Sequence, residues 1–173
     1  MGEPASRRLV LMRHAKSDYP PGVADHDRPL NERGRRDAPA AGKLLGADGP
    51  APDVVLCSSA LRARQTWELV FSTLGGAAHL RPLAALYGAE VDDVVAIARN
   101  LADGVATALV IGHQPTMSRT ALTLAGTGSV EEELIRIDTK FPTSAFTVLR
   151  VRGDWGELAP RTAVLERFEI PRG

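Results

Sequence analysis

Three short apolar runs, each ending abruptly in polar and charged side chains, constrain this chain more than any other feature. Arg8 to Met12 runs into Arg13-His14-Ala15-Lys16-Ser17. Asp53 to Cys57 runs into Ser58-Ser59-Ala60-Leu61-Arg62, and Ala108 to Ile111 into Gly112-His113-Gln114-Pro115. Runs this short and this rich in Leu, Val and Ile read as buried strands. Ala145 to Val151 and Ala163 to Phe168 read as further strands, with a weaker one through Leu80 to Leu83. Between them lie helical patterns. Ala63, Trp67, Val70, Phe71 and Leu74 share a face, with Ser59 placed to cap that helix. Val91, Val94, Val95, Ala98, Leu101 and Ala102 form a second stripe. Met117, Ala121 and Leu124 form a third, with Pro115 at its first position. An earlier helix carrying Ala38, Ala41, Leu44 and Leu45 has Asn31 as its cap, but Pro39 falls inside it. An interior proline costs roughly 3 kcal/mol, so this helix is expected to kink or to start later. The polar stretch Thr127 to Phe141 reads as a loop or short irregular element.

Strands alternating with helices predict an α/β fold, a three-layer α/β/α sandwich around a mostly parallel sheet. Residues 1–173 are expected to form a single domain, with no internal repeat or linker. In such sheets ligands bind beyond the carboxyl ends of the strands. The three polar segments above are therefore expected to converge at one edge.

Composition narrows the partners. The 21 basic and 21 acidic residues balance, which argues against a broad nucleic-acid surface. Most of the basic residues are arginine, lysine occurring only at Lys16, Lys43 and Lys140. The single cysteine, Cys57, can form no disulfide within the chain, so a cytoplasmic protein is expected. Cys57 itself reads as a small buried apolar residue. No early apolar run is long enough for a signal peptide or a membrane span. The opening Met1-Gly2-Glu3-Pro4-Ala5-Ser6 fits a loose myristoylation pattern that chance also produces.

Two histidines and two arginines at one sheet edge suit a phosphoryl group. Arginine presents a planar, permanently charged fork to phosphate oxygens. A neutral imidazole can attack phosphorus, and a second can donate to the oxygens. Taken singly, a histidine at a strand end is usually structural; three such groups at three strand ends are not easily coincidental. His26 and His79 lack such a context and read as structural or exposed. There is no P-loop, dinucleotide fingerprint, zinc spacing, Gly-x-Ser-x-Gly elbow or Cys-x5-Arg loop. No metal and no cofactor are expected.

Arg13-His14, then Ser59-Ala60-Leu61-Arg62-Ala63-Arg64-Gln65-Thr66, then Gly112-His113 resembles the histidine phosphatase superfamily, the phosphoglycerate-mutase-like group. Within it, Arg13-His14-Ala15-Lys16-Ser17, the segment Asp25 to Gly34 and the turn Phe141-Pro142-Thr143-Ser144-Ala145 are similar to the small SixA-type phosphohistidine phosphatases. The resemblance implies that His14 is the phosphorylated nucleophile. It implies that Arg13 and Arg62 hold the phosphoryl oxygens, that His113 completes the pocket, and that Arg28 and Ser17 contribute to substrate binding. The other reading of Arg28, as open as the phosphate contact, is a salt bridge to Asp25 or Asp27. Many phosphoesterases of the superfamily carry a glutamate as general acid where Tyr87 stands here. Without it, alkoxide leaving groups are disfavoured and a phosphorus–nitrogen bond is favoured. Asp25 and Glu90 are the candidate substitutes as proton donor. The expected activity is hydrolysis of protein phosphohistidine or another phosphoramidate. The alternatives are a phosphatase of a small phosphomonoester, or a non-catalytic phosphate-binding or protein-interaction module.

Overall fold

The computed structural model describes residues 6–47 and 51–173; the myristoylation pattern falls almost wholly outside them. In chain order the elements are β1 (Arg7–Arg13), α1 (Glu32–Ala47), β2 (Val54–Ser58), α2 (Leu61–Leu74), β3 (His79–Leu83), α3 (Val91–Arg99), β4 (Thr107–Gly112), α4 (Thr116–Leu124), α5 (Glu131–Thr139), β5 (Phe146–Val151) and β6 (Ala163–Glu169). The strands form one sheet in the order β3-β2-β4-β1-β5-β6. The first four are parallel, while β5 and β6 run antiparallel to their neighbours. This is the mostly parallel α/β sandwich expected of the alternating pattern.

Alternation along β1 splits the core. Leu9 and Leu11 face one side, where they pack with residues of α3, α4 and α5. Val10 and Met12 face the other, with Ala38, Ala41 and Leu45 of α1 and Ala63, Trp67 and Val70 of α2. A strand buried on both faces has to be apolar throughout, which explains the uninterrupted runs in the sequence.

Helix α1 begins where Asn31 predicts: the Asn31 side chain accepts from the Gly34 amide at 2.9 Å. It runs through Pro39 to Ala47. Packing against α2 offsets the proline, and the Thr73 hydroxyl donates to the Pro39 carbonyl at 2.7 Å. Two glycines of α1 are demanded by close approach. A Cβ on Gly34 would collide with the Lys16 carbonyl, and one on Gly42 with Thr73 and the Val70 carbonyl. Gly34 thereby lets α1 lie directly against the segment that follows β1.

Three expectations are corrected. Thr127 to Phe141 is not a loop throughout, since Glu131–Thr139 is helix α5. Glu131, Glu132 and Glu133 in its first turn complement the positive end of the helix, and Ile137 is buried against the core. The polar composition hid this short amphipathic turn pattern. Helix α2 is capped at Ala60, without a side-chain cap; the Ser59 hydroxyl is taken by His26 instead, at 2.9 Å. Pro115 is the residue before α4, rather than its first, and follows a cis peptide bond.

Candidate active site

Register alone brings the polar segments together. Arg13 at the end of β1 pairs with Gly112 at the end of β4, and Cys57 of β2 pairs with Ile111 of β4. His14, His113 and Ser58 therefore emerge side by side, one from each of three adjacent parallel strands. Arg62 reaches the same point from the first turn of α2. All four predicted residues, Arg13, His14, Arg62 and His113, converge.

His14 is buried. Its Nδ1 lies 2.7 Å from the Ala15 carbonyl, which can only accept, so Nδ1 carries the proton and Nε2 the lone pair. The Arg62 Nε–H points at that lone pair from 3.3 Å. Burial, with His113, Arg62 and Arg13 nearby, pushes the imidazole pKa down to about 3, against the opposing pull of the Ala15 carbonyl. At neutral pH the ring is thus an uncharged base with a fixed tautomer.

The His113 ring lies 5.2 Å from that of His14. Its Nε2 is 2.7 Å from the Ser58 hydroxyl, and its Nδ1 3.5 Å from the outer nitrogen of Arg62. Burial and the charge of Arg62 lower its pKa to about 4, despite Asp25. Arg13 donates to the Phe141 carbonyl at 3.1 Å, while its Nε is buried without a partner. Desolvation lowers its pKa too. Such a guanidinium gains most from an incoming anion.

Thr66, fully buried, ties this floor together. Its hydroxyl accepts from the Ala15 amide at 2.9 Å and donates to the Arg62 carbonyl at 2.7 Å. One side chain joins the peptide that orients His14 to the helical turn that carries Arg62. Thr66 and Ser58 were not singled out by the sequence, although Thr66 stands in the quoted motif.

Around this floor is a more exposed rim. Arg28 donates to the Ser17 hydroxyl at 2.8 Å and to Asp25 at 3.0 Å. The ion pair with Asp25 foreseen as one option therefore forms, and Ser17 meets the pocket through Arg28. Asp25 also accepts from Arg62 at 3.2 Å and from the Tyr87 hydroxyl. The Tyr87 hydrogen bond, then Arg28 and Arg62, hold its carboxyl well below the usual range. This corrects the expectation of Asp25 as proton donor, because at neutral pH it has no proton to give. Glu90 is corrected as well: it caps α3 in a reciprocal box with Asp93, whose carboxylate accepts from the Glu90 amide at 2.9 Å. Tyr87 stands edge-on to both His26 and His113, so His26 lines the rim instead of lying apart. His79 is exposed on β3. Burial pushes the Cys57 thiol up to about 12, which leaves it unreactive.

Among the described residues, no three His, Cys, Asp or Glu side chains are grouped as a metal ion would need, and no helix is long and apolar enough to cross a membrane.

The sequence profile of the histidine phosphatase superfamily, branch 1, matches residues 9–87. A solved structure from Nakamurella multipartitia, provisionally assigned as phosphohistidine phosphatase SixA, superposes with a TM-score of 0.82 at 38% identity, covering 98% of this chain and 99% of that one. This chain belongs to the histidine phosphatase superfamily. A second structure, the protein histidine phosphatase SixA complexed with tungstate, matches with a TM-score of 0.77 at 25% identity, over 95% of this chain and 97% of its own. An uncharacterised protein of Mycobacterium tuberculosis strain H37Rv is 48% identical over 162 residues, 93% of this chain and all of that protein. Superfamily membership and these SixA-type neighbours support phosphatase activity. The α/β fold is phosphoglycerate-mutase-like, as the resemblance to the superfamily implied.

Proposed function

We propose that the chain is a phosphatase that forms a phosphohistidine on His14 and acts on phosphoramidates, protein phosphohistidine above all. One observation carries this reading: the Nδ1–H of His14 is fixed on the Ala15 carbonyl, so the Nε2 lone pair is presented beside Arg62. That tungstate, a tetrahedral oxyanion, binds a SixA relative supports an oxyanion pocket here.

In the first step Nε2 attacks phosphorus in line with the leaving nitrogen. The P–N bond of the substrate breaks and its electron pair returns to the leaving imidazole. That ring carries its own proton on the other nitrogen and departs neutral. Arg62 transfers its Nε–H bond from Nε2 to a phosphoryl oxygen as the new bond forms. Arg13, Arg28 and His113 supply further donors. The phosphorylated His14 ring becomes an imidazolium, whose Nδ1–H charge is met by the Ala15 carbonyl. Water then adds to phosphorus, the P–Nε2 bond breaks with its pair returning to His14, and dihydrogen phosphate leaves with both protons of the water.

The rim favours this substrate class over ordinary monoesters. An alkoxide leaving group needs an acid, and general acid catalysis is worth about 10²–10⁴-fold. Asp25 is ionised and Glu90 is committed to capping α3. A leaving group that brings its own proton does not need either.

The test is acid-quench trapping with labelled phosphoramidate on wild type and His14→Ala. Acid-labile, base-stable label on wild type alone is the expected result. Turnover that persists in His14→Ala would overturn the mechanism. Rapid hydrolysis of sugar phosphates with none of phosphohistidine would overturn the substrate class.

A further inference from the structure

Tyr19 is the most exposed large apolar side chain among the described residues, at 70%. It is nevertheless held in place. The Arg28 guanidinium lies 4.0 Å from the centre of its ring and covers one face. The Tyr19 amide donates to the Asp18 side chain at 2.8 Å, and Arg28 donates to the Asp18 carbonyl at 3.1 Å. Pro20 and Pro21 follow and stiffen the exit. Arg28 in turn is fixed by Ser17 and Asp25, and Asp25 touches Arg62. The ring thus sits one side chain outward from the guanidinium groups that face the phosphoryl site. Its phenol is near enough to Arg13 to counter part of that residue's lowered pKa.

The geometry points to Tyr19 as a specificity residue: a flat platform at the mouth of the pocket on which the ring of the leaving group stacks. This rests on the phosphohistidine reading and deepens it. The inner arginines grip the phosphoryl group whatever it is attached to, so they cannot tell an imidazole from an ammonia leaving group. An aromatic face backed by a cation can, because a planar heteroaromatic ring gains contact area and quadrupole attraction there. Tyrosine supplies such a face with few rotatable bonds to freeze. The selectivity therefore appears in substrate binding.

The experiment compares N-phosphoimidazole with phosphoramidate, which has the same P–N bond but no ring. Steady-state kinetics are measured for wild type, Tyr19→Leu and Tyr19→Phe. Tyr19→Leu should raise KM for phosphoimidazole roughly three- to tenfold more than KM for phosphoramidate, the range for an aromatic pair. Tyr19→Phe should keep the wild-type ratio. Loss of Arg28 support would weaken both substrates alike, so an unchanged ratio in Tyr19→Leu overturns the platform and leaves Tyr19 a prop for Arg28. If wild type turns over neither compound, the phosphohistidine reading fails and the platform falls with it.

Discussion

The floor and the rim of the site differ in how they are built. The floor consists of His14, Arg62, His113, Ser58 and Thr66, set by three parallel strand ends and the first turns of α2. His14, Arg62, Ser58 and Thr66 are all buried. The rim consists of Arg28, Asp25, Tyr87 and His26, drawn from loops and short turns, and it is held together by exposed or half-exposed polar contacts. Buried hydrogen bonds have no water to replace them when broken, whereas rim contacts do. The floor is expected to carry the chemistry, and the rim to tune which anion enters.

The largest effect should come from Arg62, which reaches both histidines of the floor. Arg62→Ala should lower kcat by on the order of 10²–10³-fold, the scale of a lost oxyanion donor, and Arg62→Lys should not restore it, since a point charge cannot span His14 and Asp25 together. A rate within threefold of wild type would move Arg62 out of the floor. Next is the link between the segment that orients His14 and the helical turn that carries Arg62. Thr66→Val keeps shape but removes both hydrogen bonds, and should destabilise the fold by about 1–3 kcal/mol by leaving the Ala15 amide unpaired. Thr66→Ser should restore both stability and phosphoenzyme formation. If valine traps label as fast as threonine, the hydroxyl does not position His14.

The floor also dictates a pH response. His14 and His113 have folded-state pKa values lowered to about 3 and about 4. The unfolded chain therefore binds more protons between those values and the ordinary 6.5, and stability falls as pH drops through that window. For activity, protonation of His14 should cut the rate only as pH approaches about 3. Phosphoenzyme formation, followed in the range where the fold persists, should show no acid limb near pH 6.5; finding one would mean that the nucleophile is more solvated than the floor implies. The smallest effect belongs to the rim. Asp25→Asn removes a carboxylate that shares Arg28 and Arg62 with the incoming anion. Inorganic phosphate should bind up to about fivefold tighter, the size of an exposed charge contact. Weaker binding, measured as competitive inhibition, would show that Asp25 orients these arginines more than it competes for them.

Much of the floor was legible because its causes are local or periodic. The apolar runs identify β1, β2 and β4, parallel pairing aligns their ends, and the residues after them follow. Arg28 was harder: Asp27 is its neighbour in sequence and Asp25 lies three residues back, yet the turn at 25–27 brings Asp25 to it. Glu90 looked like an acid because sequence distance to Tyr87 is short, but its carboxylate serves the start of α3. Helix α5 was missed because acidic residues that favour a helix start resemble loop composition.

By itself the sequence determined the α/β alternation, the mostly parallel sheet and the gathering of Arg13, His14, Arg62 and His113, since strand periodicity and the position of residues after a strand are properties of the chain alone. Tertiary structure decided which nitrogen of His14 is free, which carboxylate meets which arginine, and where Tyr19 and Tyr87 stand. Those depend on hydrogen bonds between residues distant in the chain, as with Thr66 and Ala15, and on the burial that strips water from a charge. Neither quantity exists until the chain has closed around the site.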